Sequence, residues 1–150
     1  MNIEVKRYLD ASPAEIFATV SDLESWPEIV RSVLKIDLLT DGPVGQGTRL
    51  RETRVIFSRT STHDMEVANF DRPHRLRLAV TNPDIYYELD HVVDRVFGAA
   101  SRVLLIFRTR PESAVGRAVH PFMTPFMEIT LRDELERDLT DLVAAVKSRL

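Results

Sequence analysis

The sequence contains no cysteine, and this absence removes several kinds of chemistry. Without cysteine there are no disulfide bonds, no thiolate nucleophile and no cysteine-ligated zinc site. A chain of this length buries about 70% of the surface that it exposes when unfolded. We therefore expect residues 1–150 to form one domain held by an ordinary hydrophobic core, and a reducing compartment suits such a protein.

Long apolar segments are also missing. No apolar run exceeds the five residues of Val103–Phe107, whereas a membrane helix needs about 20. The residues from Met1 to Arg7 alternate apolar and polar side chains, as a strand does and a signal peptide does not. These features predict a protein without a membrane span that resides in the cytoplasm.

Neither sign of charge dominates, and the common site motifs are absent. The 20 basic and 23 acidic residues give a formal net charge of -3 and are interspersed, so nucleic acid is not an expected partner. The Gly45-Gln46-Gly47 segment lacks the third glycine of a dinucleotide-binding loop, and no Gly-x-Ser-x-Gly elbow occurs. The four histidines show no pair at helical spacing. We expect no metal, no cofactor and no hydrolase chemistry.

What the sequence does contain is a series of segments in which apolar and polar residues alternate with the period of a β-strand. Turn-forming residues separate them, most clearly at Asp41–Gly47 and Asp71–Pro73. Seven strands are predicted, at Ile3–Leu9, Val33–Leu39, Thr48–Phe57, Thr60–Phe70, Arg75–Val80, Ile85–Val96 and Ser101–Arg110.

Two short helices are predicted after the first strand. Ser12, Pro13 and Glu15 have the spacing of a capping box with proline at the first helical position. The Trp26-Pro27 pair interrupts this helix, so that only a short second one follows, ending near Ile29.

A long amphipathic helix is predicted from about Pro125 to Leu150. Pro121 and Pro125 predict that residues 115–124 form at most a broken turn. One face of the helix is apolar, with Met127, Leu131, Leu135, Leu139, Leu142, Val146 and Leu150, and the other carries Arg132, Asp133, Glu136, Arg137 and Asp141.

The order of these elements predicts an α+β fold in which a curved antiparallel sheet of about seven strands wraps around the long C-terminal helix. A curved sheet and a helix laid across it do not close completely. The gap between them is the predicted binding cavity.

This element order, together with three motifs, resembles the START/SRPBCC superfamily with its helix-grip fold. The motifs are Asp22–Glu28, Gly45–Arg49 and Phe70–Pro73, and the polyketide cyclase/dehydrase branch is the most similar. The resemblance covers nearly the whole chain. It implies a cavity for a hydrophobic or aromatic small molecule, such as a polyketide, a lipid or a quinone-like compound, in a protein that is either a carrier or a cyclase.

The candidate ligand-binding residues are apolar, aromatic or polar side chains on the predicted inner faces of the strands, in the Trp26-Pro27 turn and at the start of the long helix. They are Trp26, Leu50, Arg54, Met65, Tyr87, Leu89, His91, Leu105, Phe107, Phe122, Met123, Phe126 and Met127. The pattern leaves open whether Leu50, Glu52, Arg54 and Ile56 or their neighbours face inward. If they do, Glu52 and Arg54 form a buried charge pair.

Three functions remain open at this point. The leading hypothesis is a binding protein for an apolar small molecule, as a monomer or a homodimer. The second is a cyclase or aromatase, in which His63 or His91 acts as the base and Arg54 or Tyr87 polarises a carbonyl. The third is a protein-binding regulator that resembles ribosome-associating toxins or quinone-binding chaperones. In that case the charged face from Arg132 to Asp141 carries the contact.

Overall fold

A computed structural model gives the fold of the chain and describes residues 1–80 and 83–150, with the backbone alone at positions 123, 124 and 126. In this described part of the chain, seven antiparallel strands form one sheet in the order β1-β7-β6-β5-β4-β3-β2. The strands are β1 (Asn2–Asp10), β2 (Val33–Leu38), β3 (Arg49–Ile56), β4 (Arg59–Asp71), β5 (Arg75–Val80), β6 (Ile85–Phe97) and β7 (Ala100–Pro111).

Within the described residues, three α-helices accompany the sheet: α1 (Pro13–Val20), α2 (Trp26–Ile29) and the long α3 (Ala114–Ser148), with a 3-10 turn at Leu23–Ser25 before α2. The predicted architecture is therefore confirmed.

The start of α1 and the Trp26 turn have the predicted local chemistry. The Ser12 hydroxyl accepts a hydrogen bond from the Glu15 amide at 3.1 Å, and the Glu15 carboxylate accepts one from the Ser12 amide at 3.0 Å. This reciprocal pair satisfies two amides that the first helical turn leaves free. The Trp26 indole is 3% exposed and donates to the Val20 carbonyl, which joins the second short helix to the first.

The long helix begins earlier than predicted. It starts at Ala114 and runs through Pro121 and Pro125, so the prediction of a broken turn at residues 115–124 was wrong. The Ser113 hydroxyl caps the helix by accepting from the Gly116 amide at 2.9 Å. Each proline removes one amide donor but keeps a helical φ, and a helix can continue past that local loss.

The second half of α3 supplies the core as predicted, except at its end. Leu135, Leu139, Leu142 and Val146 are at most 6% exposed, and burying each contributes about 1.5–3 kcal/mol. They pack into one cluster with residues of β1, β7 and α1. Leu150, which was placed on the same face, follows the end of the helix and is 61% exposed.

The outer, convex face of the sheet holds a buried carboxylate. Asp90 is 0% exposed because Arg75, Arg77 and Arg108 from the neighbouring strands lie over it. Burial alone would raise the pKa of Asp90, but hydrogen bonds from Arg77 and Arg108 outweigh it and lower the pKa. The aliphatic parts of the arginine side chains cover this outer face. The alternation of apolar and polar residues, taken alone, predicts that the same face is exposed to solvent.

Candidate ligand-binding groove

The inner, concave face of the sheet carries apolar side chains that α3 leaves partly uncovered. The backbone of α3 lies close to β1 and β7, at one side of the sheet, and farther from the concave face of β4, β5 and β6. Met65 of β4 and Leu89 of β6 pack against the core there and yet remain half-buried, as does Phe107 of the adjacent β7. Met127 and Leu131 of α3 are half-buried as well. We call the region between these side chains of the sheet and of α3, where the cavity was predicted, the groove.

An aromatic pair stands on this face. The rings of Tyr87 and Phe107, on neighbouring strands β6 and β7, have their centroids 6.3 Å apart. No described residue hydrogen bonds the Tyr87 hydroxyl, and burial raises the pKa of that hydroxyl above its ordinary value. The pair offers apolar ring surface together with one neutral hydroxyl that can donate or accept.

Next to this pair, a hydrogen bond ties the first half of α3 to the sheet. Thr109 is the cross-strand partner of Tyr87, and its hydroxyl lies 2.7 Å from Nε2 of His120 on α3. Neither residue was predicted to belong to the site. The sequence contained one signal for Thr109. It lies two residues after Phe107, so the two side chains are expected on the same face of the sheet. His120 lies in the segment predicted to be a broken turn, so its pairing with a strand was not foreseen.

A network of buried charges lies on the same face, on β3. Leu50 is 0% exposed and Glu52 1% exposed, so this parity faces inward and the charge pair is buried. Arg54 donates from Nε to Glu52 at 2.7 Å and from Nη1 to Asp138 of α3 at 2.9 Å. Asp138 also accepts from the Ser32 hydroxyl at 2.8 Å. The network therefore connects the sheet to α3, and Asp138 and Ser32 are members that the sequence did not reveal.

The buried charge of Arg54 is compensated by its neighbours. Burial opposes the charge of Arg54, but the nearby carboxylates of Glu52 and Asp138 outweigh burial and raise its pKa. Two carboxylates surround one guanidinium, which leaves an excess of negative charge. A ligand that approaches Arg54 has to compete with both carboxylates for it.

His91 and Trp26 lie together beneath the groove. The His91 side chain is 2% exposed, and its ring centroid is 5.5 Å from that of Trp26. Burial lowers the pKa of His91 to about 4, against the smaller opposing effects of the Leu76 hydrogen bond and of Asp90 and Asp138. Nδ1 lies 3.2 Å from the Leu76 carbonyl, and a carbonyl only accepts. Nδ1 therefore carries the proton of the neutral ring, and Nε2 holds a lone pair.

The second histidine candidate lies elsewhere. His63 is half-buried on β4 and hydrogen bonds the Ser61 hydroxyl at 2.8 Å. It lies seven residues before Phe70, and Phe70 pairs with Leu76, which in turn pairs with His91. That separation is roughly 20 Å along the strand, so the structure does not bring the two histidines together.

The predicted ligand-binding residues thus fall into distinct environments. Met65, Tyr87, Leu89, Phe107 and Met127 are half-buried beside the groove, whereas Trp26, Leu50, His91 and Leu105 are closed inside the core. Arg54 is held by two carboxylates, and Phe122 is 77% exposed instead of forming an apolar wall. The side chains of Met123 and Phe126 lie outside the described residues.

The charged face of α3 is partly used within the chain. Asp141 forms several hydrogen bonds with Arg31, which lower the pKa of Asp141 against the effect of burial. Glu136 pairs with Arg7 of β1. The face predicted to contact a protein partner therefore holds the helix against the N-terminal strand and the loop after α2.

The described part of the chain contains neither a metal-binding cluster nor a membrane-spanning helix. Within residues 1–80 and 83–150, no three acidic or histidine side chains cluster in a way that could hold a metal ion. None of the helices described has the length and apolar character needed to cross a membrane. A separate surface depression of about 340 Å³, lined by Tyr8, Leu9, Asp10, Ala100 and Lys147, lies outside the groove.

Comparisons with known proteins agree with this geometry. A family model described as polyketide cyclase/dehydrase and lipid transport matches residues 1–147. No curated protein matches the sequence.

Among solved structures, a START superfamily protein from Mycobacterium smegmatis is 14% identical with a TM-score of 0.79, and the match covers 99% of each chain. The Zhui aromatase/cyclase from Streptomyces sp. R1128 is 14% identical with a TM-score of 0.80, covering 99% of this chain and 94% of that one. Norcoclaurine synthase from Thalictrum flavum is 17% identical with a TM-score of 0.62, covering 89% and 83%. At these identities the structural likeness shows the fold.

Proposed function

This chain belongs to the polyketide cyclase/dehydrase and lipid transport family, and from that premise we propose that it binds a hydrophobic or aromatic small molecule in the groove between α3 and the concave face of β4–β6. One observation carries the proposal. Met65 on β4 and Leu89 on β6 face inward from interior strands of the sheet but stay half-buried, because α3 lies over β1 and β7 instead. An apolar ligand that binds in a concave site removes the uncovered apolar surface from water, and this removal favours binding.

The polar groups beside the groove support an aromatic ligand with an oxygen substituent. The Tyr87 and Phe107 rings provide surfaces for offset or edge-on ring packing. The Tyr87 hydroxyl is neutral at physiological pH, as an ordinary tyrosine is, and burial raises its pKa further, so it can donate to a ligand carbonyl or accept from a ligand phenol. Binding thus combines burial of apolar surface with one directional hydrogen bond.

The cytoplasmic location stays a prediction that the absence of cysteine favours.

The test uses the fluorescent aromatic probe 1-anilinonaphthalene-8-sulfonate and one pair of matched variants. Leu89→Arg places a charge on the floor of the groove, whereas Leu34→Arg makes the same change at a leucine that is 52% exposed on β2. We expect Leu89→Arg to weaken probe binding by roughly tenfold, since losing about 1.4 kcal/mol of apolar contact has that effect.

Leu34→Arg is expected to bind the probe as the unmodified protein does. Native mass spectrometry of the purified protein adds a probe-free measurement, in which a retained apolar molecule would identify the ligand class. Equal probe affinity for both variants, or no probe binding at all, would refute the groove as the binding site.

A cyclase remains the second candidate because one observation favours it. Arg54 and Asp138 lie close enough to His91 to influence its pKa, so a neutral imidazole, a guanidinium and a carboxylate share one region of the core. Nε2 of His91 would take a proton from an acidic carbon of a poly-β-ketone, and Arg54 would polarise the carbonyl that the resulting carbanion attacks. Because His91 is 2% exposed, the substrate would have to open this region first.

Turnover separates this candidate from a pure carrier. With a poly-β-ketone thioester analogue as the substrate, a cyclase forms an aromatic product that absorbs in the near ultraviolet, and the double variant His63→Ala with His91→Ala abolishes it while probe binding persists. Product formation that the double variant does not reduce would exclude both histidines as the base. No product with the unmodified protein would leave the carrier as the better account.

A further inference from the structure

A serine and a histidine are in contact on β4, on the same face as the groove residue Met65. Alternate residues of a strand share a face, so Ser61, His63 and Met65 all lie on the concave side of the sheet. The Ser61 hydroxyl oxygen is 2.8 Å from Nε2 of His63, and both side chains are half-buried. Met65 lies roughly 13 Å from Ser61 along the strand. A hydroxyl and an imidazole therefore meet at a position that solvent still reaches, on the strand that borders the groove.

The contact involves the ring nitrogen that can act as a base toward the serine. With the proton of the neutral imidazole on Nδ1, Nε2 of His63 accepts a hydrogen bond from the Ser61 hydroxyl. In this tautomer Nε2 can take the hydroxyl proton when the oxygen attacks an electrophile. A serine within hydrogen-bond distance of a base is the minimal arrangement of an activated nucleophile.

The neighbouring strand β3 places one charge opposite each member of the pair. Arg54 is the cross-strand partner of Ser61, and Glu52 is the cross-strand partner of His63. Side chains in such positions have their Cβ atoms about 5 Å apart. Arg54 bonds Glu52 and Asp138 through Nε, Nη1 and Nη2, and each Nη atom carries a second hydrogen that these bonds do not use. A cation thus lies opposite the nucleophile, and a carboxylate lies opposite the base.

We propose that Ser61 and His63 form a catalytic pair that hydrolyses carboxylic esters, including thioesters. The inference rests on the proposed function in one respect, because the apolar acyl chain of the substrate extends along Met65 into the groove. The absence of a Gly-x-Ser-x-Gly elbow predicted no hydrolase chemistry. Such pairs are defined by the geometry of their side chains, however, and occur without that motif.

The reaction has two steps, and water is its only co-reactant. Ser61 Oγ bonds to the carbonyl carbon while its proton moves to Nε2 of His63, and the positive charge of Arg54 stabilises the oxyanion that forms. The bond from the carbonyl carbon to the leaving oxygen or sulfur then breaks, and His63 gives the proton to the leaving alcohol or thiol. In the second step His63 deprotonates a water that attacks the acyl-serine ester. Collapse releases the carboxylic acid, and the proton returns to Ser61 Oγ.

The experiment measures hydrolysis of p-nitrophenyl acetate and p-nitrophenyl octanoate. Ser61→Ala and His63→Gln each remove one member of the pair. Thr62→Ala is the matched control, because it removes the hydroxyl between them, which is exposed on the opposite face and bonds Thr53. We expect each pair variant to lose about 100-fold or more in kcat/KM. The control should keep the activity of the unmodified protein, and octanoate should be the better substrate.

A covalent readout separates catalysis from a structural role of the pair. A fluorophosphonate forms a stable phosphonate ester with an activated serine, and peptide mass spectrometry locates the modified residue. We expect the phosphonate on Ser61 in the unmodified protein and in Thr62→Ala. In His63→Gln the serine is still present but has lost its base, so labelling should fall by about 100-fold or more.

Three results would overturn the catalytic pair. The unmodified protein hydrolyses neither ester faster than buffer does, Ser61→Ala retains the rate of the unmodified protein, or the phosphonate is found only on other residues. Binding of 1-anilinonaphthalene-8-sulfonate is measured on the same samples. Binding of that probe without ester hydrolysis rejects the catalytic pair alone. Hydrolysis that depends on Ser61, with equal rates for the two esters and no probe binding, rejects the groove and leaves the pair.

Discussion

Replacing Arg54 with methionine would leave two carboxylates in the core without their shared cation. Arg54 contacts Glu52 at 2.7 Å and Asp138 at 2.9 Å, and the two carboxylate side chains are 2% and 7% exposed. Methionine retains much of the packing volume but no charge. Removing one partner of a buried ionic network typically costs 3–5 kcal/mol, because the remaining charges stay desolvated. We expect Arg54→Met to lower the free energy of unfolding by about 4 kcal/mol.

Arg51→Met is a matched control on the same strand. Arg51 has the opposite parity to Arg54 and pairs with Asp64, and both of those side chains are about half exposed. Exposed pairs of this kind contribute about 0–1 kcal/mol. The difference between the two variants therefore isolates the effect of burial, since the residue change and the strand are the same.

Urea unfolding followed by the fluorescence of Trp26, the single tryptophan, measures both variants. With a slope of about 2 kcal/mol per molar urea, a loss of about 4 kcal/mol lowers the midpoint by roughly 2 M. Adding Asp138→Asn to Arg54→Met is expected to recover part of the loss, because one buried charge is removed. A midpoint for Arg54→Met no lower than that of Arg51→Met would refute the buried network.

Three further predictions concern stability. Burial lowers the pKa of His91 from 6.5 to about 4, so between these values the unfolded chain binds more protons, and the free energy of unfolding falls by about 2 kcal/mol from about pH 7 to about pH 5. Across that pH range, the urea midpoint of His91→Gln should change less than that of the unmodified protein. An equal change in the two proteins would contradict this. Gly116→Ala places a methyl group onto the carbonyl that precedes β6 and is expected to cost roughly 1–3 kcal/mol in the same assay, whereas Gly45→Ala, with open space around it, is expected to be near neutral. Ser12→Ala removes the capping box and is expected to lower the free energy of unfolding by about 1 kcal/mol, measured by thermal unfolding.

The parts of the fold that depend on local patterns could be predicted from the sequence. Alternation located all seven strands, and the Ser12 capping box located α1. The start of α3 could not be predicted, because Pro121 and Pro125 suggest a break when they are considered locally. The contact between His120 and Thr109, which holds this part of the helix on the sheet, depends on tertiary packing that the local pattern does not contain.

The candidate site divides in the same way. Strand parity placed Tyr87 and Leu89 on the concave face, but it could not choose the inward set on β3, because both sets contain an arginine and apolar residues. The choice depends on Asp138, which is 84 positions from Arg54 and meets it only when α3 crosses the sheet. From the sequence alone, polar residues on a helix are predicted to face solvent. Only the tertiary packing shows which of them pairs with a buried cation.

Methyl-detected NMR during titration with 1-anilinonaphthalene-8-sulfonate shows directly whether an aromatic molecule binds in the groove between α3 and the sheet. It reports at each methyl group whether the probe occupies the groove. We expect the methyl signals of Met65, Leu89 and Met127 to shift together and to saturate with one affinity. The methyl signals of the exposed Leu34 should not shift. Shifts confined to methyl groups outside the groove, or no saturable shifts at Met65 and Leu89, would contradict the proposal that this chain binds its ligand between α3 and the sheet.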